Sequence, residues 1–261
     1  MTDKTIGFIG GGRVTHIILS GFKKSGMSLK DIIVSDISIT SLNELKTEFP
    51  EIDISPNDNT KPVTNDFVFL ALHPRIITDV LINIKPYLKP NAILISLAPI
   101  LSIKKLSEML NGFSRIVRMI PNAPSIVNYG YNPVAFSNDL TEIEKKELTN
   151  LFKVLGECPE VTEDKLEAYA ILTGMGPTYF WFQFNELKKI ATDFGLTEQE
   201  VKNGIEKMIT GAIKTLFEAG LSPEQVMDLI PLRPLQDYED KIKEAYHSML
   251  EPLYKKLKRI T

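Results

Sequence analysis

Short, almost uninterrupted apolar runs alternate with helical patterns through the first half of the chain. Thr5-Ile6-Gly7-Phe8-Ile9 reads as a buried strand, followed by Gly10-Gly11-Gly12 and a helical pattern reaching about Lys24. Ile32-Ile33-Val34 is a second strand, ending at Ser35-Asp36, and Ile52-Asp53-Ile54 a weaker third. Phe67 to Leu72 is apolar throughout, as a parallel strand covered on both faces should be. Ile76 to Leu88 reads as a helix, Ala92 to Leu97 as a strand, and Ser102 to Leu110 as a helix capped by Ser102. Arg115 to Ile120 is a further strand, leading into Pro121-Asn122-Ala123-Pro124. Strand–helix alternation at this spacing predicts an α/β fold, a doubly wound parallel sheet with right-handed crossovers.

The texture changes near residue 160, and everything beyond reads as helix. Thr197-Glu198-Gln199-Glu200 is a capping box, followed by Val201, Ile205, Met208, Ile209, Ala212, Ile213, Leu216 and Phe217 at helical spacing. Gly220 is a stop, Ser222-Pro223-Glu224-Gln225 starts another helix, and a last one runs from about Tyr238 to Lys258. The division expected from this switch is residues 1–158 and an all-helical part over 159–261. Ala168 to Asn185 carries no charge over eighteen residues, close to the length of a membrane span. Gly174, Gly176, Pro177, Gln183 and Asn185 make it too polar and too broken for one, so a helix buried at a domain or subunit interface is expected.

Charge narrows the field further. Thirty Lys and Arg against 33 Asp and Glu leave a net charge of -3 over 261 residues, with no general pull toward nucleic acid or an anionic membrane. The cluster Lys255-Lys256-Leu257-Lys258-Arg259 reads as a solvated helix end, where cations complement the macrodipole. Cys158 has no second cysteine to pair with, and His16, His73 and His247 are scattered, so no zinc-ligand spacing is present and no metal is expected. No apolar leader precedes the Gly-rich motif, and a cytoplasmic protein is the expectation.

Gly10-Gly11-Gly12-Arg13-Val14-Thr15 fits G-x-G-x-x-[G/A] except in its last place, and sits between a predicted strand and a predicted helix as that motif requires. Gly10 allows the tight turn, Gly12 lets backbone approach a pyrophosphate, and the helix start at Arg13 and Val14 adds free N–H groups and positive dipole. Thr15 stands where a small residue lets helix and strand pack closely. Asp36, at the end of the second strand, is placed to accept hydrogen bonds from an adenosine ribose and to repel a 2′-phosphate. Neither Ile37 nor Ser38 compensates with a cation, so the site leans to NAD, although Arg13 or Lys61 could reach a 2′-phosphate. The plainer alternative is a solvated Asp36 at a strand end.

Taken together, these segments resemble the pyrroline-5-carboxylate reductases, which make proline by reducing a cyclic imine. Ile6-Gly7-Phe8-Ile9-Gly10-Gly11-Gly12 is similar to the family's opening, and Phe67-Val68-Phe69-Leu70-Ala71-Leu72-His73-Pro74 to its fourth-strand motif, which usually carries lysine where His73 stands. Arg118-Met119-Ile120-Pro121-Asn122-Ala123-Pro124 resembles the segment Arg-x-Met-Pro-Asn-Thr-Pro, and Thr173-Gly174-Met175-Gly176-Pro177-Thr178 the segment Ser-Gly-Ser-Gly-Pro-Ala. Glu186 falls where the family's next helix carries a glutamate. The match covers nearly the whole chain. It implies an N-terminal Rossmann-type dinucleotide domain, a helical dimerisation domain interlocked with a second subunit, and NAD(P)H as cofactor. By carry-over, Ala71, Leu72, His73, Pro74, Ala98 and Asn122 would lie along the cofactor, and Thr173, Gly174, Met175, Gly176 and Pro177 near the substrate.

The resemblance breaks at the family's Ser-Pro-Gly-Gly-Thr-Thr-like loop, whose backbone amides hold the substrate carboxylate. Here the stretch reads Ile230-Pro231-Leu232-Arg233-Pro234-Leu235-Gln236-Asp237-Tyr238, without glycine, and Asp237 takes the place of an important threonine. Pro99 likewise replaces a small residue after the fifth strand. Asp237 and Thr173 are the candidates for contact with the reacting atoms. Either Arg233 binds an acidic group bidentately and a buried Asp237 donates a proton, or the two pair with each other at i,i+4. His73 either donates to cofactor or substrate or simply ends its strand. Three functions stay open: pyrroline-5-carboxylate reduction, reduction of another imine or carbonyl compound, and a non-catalytic nucleotide-binding dimer.

Overall fold

The computed structural model describes residues 4–260, without the side chains of Pro74, Arg259 and Ile260. Its strands are β1 (Ile6–Ile9), β2 (Ile32–Asp36), β3 (Asp53–Pro56), β4 (Phe67–Leu70), β5 (Ile93–Ser96), β6 (Ile116–Met119), β7 (Gly130–Tyr131), β8 (Val134–Phe136) and β9 (Gly156–Glu157). The helices are α1 (Arg13–Lys24), α2 (Ile39–Glu48), α3 (Thr60–Val63), α4 (Pro74–Ile84), α5 (Ile103–Met109), α6 (Glu142–Lys153), α7 (Leu166–Tyr169), α8 (Pro177–Asp193), α9 (Glu198–Glu218), α10 (Pro223–Met227) and α11 (Glu239–Ile260). Among the described residues, seven strands form one sheet in the order β3-β2-β1-β4-β5-β6-β8. All neighbours are parallel except β6 and β8. The order reverses between β1 and β4, which is the switch point of a doubly wound nucleotide-binding sheet.

Both faces of the sheet are covered, which is why β1, β4, β5 and β6 are buried at every position. On one face Phe8 and Phe69 stack with centroids 4.5 Å apart, and Phe152 of α6 meets Phe69 edge-on at 6.3 Å. On the other, Val68, Leu70 and Leu94 pack with Ile77 and Leu81 of α4 and Leu106 of α5. Helix α6 opens on a complete capping box from Thr141 and Glu144, a signal the reading of the sequence passes over. The helix expected over residues 76–88 starts at Pro74 and ends at Ile84, because Pro86 shapes a separate 3-10 turn at Lys85–Tyr87.

Compact packing divides the chain into residues 1–175 with 253–261, and residues 176–252. The change of texture at 158/159 is not where the packing changes. Val161 donates its N–H to the Val134 carbonyl at 2.9 Å, and Leu166, Ala170 and Leu257 are buried with Ile120 and Ala135. Residues 159–175 and the end of α11 thereby complete the sheet's edge. Lys258, expected as part of a solvated helix end, turns inward to 3.6 Å from the buried Glu167 carboxylate, while Lys255 and Lys256 stay exposed.

The unit over residues 176–252 consists of α8, α9, α10 and most of α11. Tyr179 and Tyr246 pack edge to face at 5.9 Å, yet Val201 is its single buried apolar side chain among the described residues. Trp181 is 51% exposed, Phe182 68% and Phe217 78%. The uncharged stretch from Ala168 runs through α7, a π turn at Ala170–Gly174 and into α8. No helix among the described residues is long and apolar enough to cross a membrane.

Cys158 is buried beside the sheet, and its thiol donates to the Asn132 carbonyl at 2.9 Å. Burial pushes its pKa up to about 12, so the reactive thiolate is scarce near neutrality. Labelling with a thiol reagent at pH 8 is expected to be negligible in the native protein and complete in denaturant. Fast native labelling would contradict this packing.

Candidate functional site

The site begins where β1 ends. Gly10 has φ +106, and a Cβ on it would lie 2.3 Å from the Ala71 carbonyl oxygen, so only glycine permits this approach of β1 to β4. Gly12 caps α1 without a side chain, at φ -84, and the space a Cβ would take is open for 4 Å around. The first turn of α1 holds no acidic residue, and Arg13 is exposed there. Unclaimed N–H groups, positive dipole and an open approach fit a pyrophosphate. Val14 lends only backbone to this turn, since its side chain packs on the core.

Thr15 supplies what a smaller residue could not. It is fully buried, and its hydroxyl donates to the Gly10 carbonyl at 2.5 Å, bracing the turn from inside. Asp36 braces it from the other side. One carboxylate oxygen accepts the Gly11 N–H and the other the Ser38 N–H, each at 2.7 Å. Two acceptors on a half-buried carboxylate leave lone pairs for ribose hydroxyls. A cavity of about 540 Å³ lies alongside, lined by Gly12, Arg13, His16, Ser41, Glu44 and Glu48, with His16 Nε2 2.8 Å from the Glu48 carboxylate. Lys61 is exposed on α3.

Past the switch point, Ala71 and Leu72 are half-buried, and Leu72 packs with the apolar cluster under α4. His73 is exposed and caps α4, its Nδ1 accepting the Arg75 N–H at 3.4 Å. In the neutral ring that acceptor role leaves the proton on Nε2. For Pro74 the backbone opens α4, and the side chain lies outside the described residues. Ala98 is buried with its methyl in the core, so it can offer only backbone to a ligand.

Asn122, also buried, joins three segments. Its N–H donates to Asn132 Oδ1 at 2.8 Å, its carboxamide oxygen accepts the Tyr131 N–H at 3.2 Å, and its amide donates to the Thr173 carbonyl. Thr173 lies in the π turn, and its hydroxyl donates back to the Tyr169 carbonyl at 3.0 Å. π turns of this kind recur at functional sites. Gly174 is part of the turn, where an added Cβ would crowd Ile120 at 3.2 Å, and Met175 ends it. Gly176 and Pro177 open α8.

One of the alternatives for residues 230–238 is not met. Arg233 does not pair with Asp237. Gln236–Tyr238 form a 3-10 turn ahead of α11, which breaks the i,i+4 phase, and the guanidinium instead meets both carboxylate oxygens of Glu239. Asp237 itself is exposed in this chain.

The sequence reading also missed a buried charge. Arg118 on β6 is 1% exposed and bound to Glu163, Glu167 and the Pro99 carbonyl. A charge inside the otherwise apolar run Ile116–Ile120 is the signal, because a buried guanidinium must be paired. The rings of Tyr131 and Tyr169 lie 6.1 Å apart, and burial with the neighbouring phenol raises the Tyr131 pKa.

A family model described as NADP oxidoreductase coenzyme F420-dependent matches residues 5–99. A pyrroline-5-carboxylate reductase of Staphylococcus haemolyticus is 30% identical over 224 residues, 84% of this chain and 81% of that protein. One from Staphylococcus aureus is 27% identical over 220 residues, with the same coverage. Among solved structures, a Plasmodium falciparum pyrroline carboxylate reductase with NADP bound has TM-score 0.80 at 23% identity, covering 100% of this chain and 99% of that one. A Coxiella burnetii pyrroline-5-carboxylate reductase has TM-score 0.69 at 27% identity, covering 99% and 96%.

Gly10 and Gly12 separate fold from binding. Gly12→Ala is expected to leave the melting temperature unchanged, since its φ suits alanine and the space is open, and to weaken dinucleotide binding by about tenfold or more, because the methyl occupies the approach. Gly10→Ala is expected to destabilise the fold itself. Equal loss of stability in both, by thermal melting beside NADH titration, would contradict the assignment.

Proposed function

We infer the reaction of this chain from its family: it belongs to the pyrroline-5-carboxylate reductases, and it is an oxidoreductase. The reading we propose is reduction of the C=N bond of 1-pyrroline-5-carboxylate to give proline, in the cytoplasm, with a nicotinamide dinucleotide. When bound, the reduced nicotinamide supplies a hydride to the imine carbon, and the nitrogen takes up a proton. The chain's own residues hold the parts: the Gly10–Gly12 turn takes the pyrophosphate, Asp36 the adenosine ribose, and the backbone at Ala71–Pro74, Ala98 and Asn122 lines the nicotinamide half. Residues Thr173–Pro177 are assigned to the substrate. The observation carrying the reading is the open, braced Gly turn at the switch point of a chain related to these enzymes over 84% of its length.

A second reading, an oxidoreductase of this family acting on another imine or carbonyl compound, is favoured by one feature. The stretch 230–238 offers no glycine amides, and Arg233 is already engaged by Glu239 rather than free for a substrate carboxylate. Asp237 and Thr173 remain the proposed contacts with reacting atoms in either case. Purified protein is expected to oxidise NADH in the presence of pyrroline-5-carboxylate and not in its absence. Bound cofactor without turnover would move the assignment to the second reading.

For the cofactor we propose NAD. Asp36 stands where a 2′-phosphate would sit, and Glu44 and Glu48 line the adjoining cavity against the single cation Arg13. NADH is expected to be preferred over NADPH by about tenfold in kcat/KM, and Asp36→Asn to shrink that ratio, since it removes the repelling charge. A preference for NADPH in the unaltered protein would refute the argument.

For assembly we propose a homodimer through residues 176–252, because a helical unit that buries only Val201 has no core of its own. Light scattering is expected to give twice the 29.4 kDa chain mass or a multiple of that. A monomer at micromolar concentration would exclude it.

A further inference from the structure

We propose that Arg118 is a positioning residue for the nicotinamide half of the cofactor site. The proposal rests on the dinucleotide reading above and not on the identity of the substrate. In a doubly wound sheet the pyrophosphate sits at the β1–α1 turn, and Asp36 marks the adenosine side at the end of β2. The nicotinamide therefore falls outside the carboxyl ends of β4, β5 and β6. Arg118 lies on β6 just beneath that edge, and it is the largest fully buried side chain among the described residues.

Its guanidinium reaches three segments at once. Nη1 donates to Glu163 Oε1 at 2.8 Å, and Nη2 donates to the Pro99 carbonyl at 2.8 Å and to Glu167 Oε1 at 2.7 Å. Glu163 Oε1 also accepts the Ile103 N–H at 2.6 Å, and Lys258 stands 3.6 Å from the second oxygen of Glu167. Pro99 follows Ala98 at the end of β5. Asn122 stands four residues beyond Arg118, and Glu167 lies in the first turn of α7, which runs into the π turn of Thr173. One planar fork thus sets the spacing between the β5 loop, the β6 exit and the π turn.

Stability alone is a poor reason for this arrangement. A buried guanidinium loses its hydration, and Nε remains buried without a partner among the described residues. Apolar side chains of similar volume usually do as well or better. What apolar packing cannot supply is the directional hold on a loop carbonyl and two carboxylates. Lysine cannot supply it either, since a point charge lacks the fork.

The test compares Arg118→Lys, Glu163→Ala and Glu163→Gln with the parent by NADH fluorescence titration, thermal melting and steady-state kinetics. Because the pyrophosphate and adenosine contacts are untouched, Arg118→Lys and Glu163→Ala are expected to keep the NADH Kd within about threefold. The emission of the bound nicotinamide should move toward that of free NADH, and kcat should fall between about tenfold and a hundredfold with KM for NADH little changed. Glu163→Gln keeps an acceptor for Arg118 and Ile103 and is expected to match the parent. If Arg118→Lys fails to fold, Glu163→Ala decides, since Glu163 is one-third exposed. Bound emission and kcat equal to the parent's, whatever the melting temperature, would overturn the proposal. A parent protein that binds NADH but does not turn over pyrroline-5-carboxylate would sink the substrate reading, while the emission experiment would still decide the role of Arg118.

Discussion

Backbone approaching backbone where no side chain fits is the constraint on which the nucleotide half of this molecule depends. Gly10 lies against the Ala71 carbonyl, and a Cβ on Gly7 would meet the Pro62 carbonyl at 1.9 Å. β1 is thereby held close against α3 and against the end of β4 at the switch point, where the chain turns straight into α1. A hydroxyl on Thr15 and a carboxylate on Asp36 brace that turn from opposite sides. The consequence is a turn fixed before any ligand arrives, so an anion bound there would not have to order a loop first.

The other half of the sheet is organised by charge rather than by close backbone approach. Arg118 and Glu167 are each 1% exposed, and the end of the last helix returns to add Lys258. Removing Arg118 or Glu167 would strand the other's buried charge, which typically costs about 3–5 kcal/mol. Such a network tolerates little movement, and it sits beneath the carboxyl-end exits of β5 and β6. Asn122 extends the same rigidity upward by tying the β6 exit to the π turn.

Much of this was legible in the sequence, for physical reasons that differ by element. The strands could be read because parallel strands buried on both faces are apolar at every position, as at Phe67–Leu70. The Gly turn could be read because its chemistry is local to six residues. Contacts distant in sequence were not legible. The partners of Arg118 lie 45 and 49 residues further on, and nothing local announces them. Arg233 misled in the opposite way: spacing suggested Asp237, but a 3-10 turn changed the phase and delivered Glu239. Ala98 and Val14 were expected along the cofactor, yet their side chains face the core, since a motif specifies a backbone path before it specifies which atoms meet a ligand.

The two kinds of recognition in this chain therefore differ in how freely they can change. On the proposed reading a pyrophosphate would be met by backbone at positions where a Cβ is forbidden or must be absent, so substitution there would damage either the fold or the binding. The stretch 230–238 has no such restriction. It lies in a unit whose described side chains are nearly all exposed, and it presents side chains of Arg233, Gln236 and Asp237 in place of open amides. An amide cradle accepts a carboxylate whatever side chains flank it, whereas a surface built from side chains accepts only what its charges and shapes admit. On the reading proposed above, the nucleotide contacts can stay fixed while the substrate contacts change, so the fold by itself does not choose the substrate.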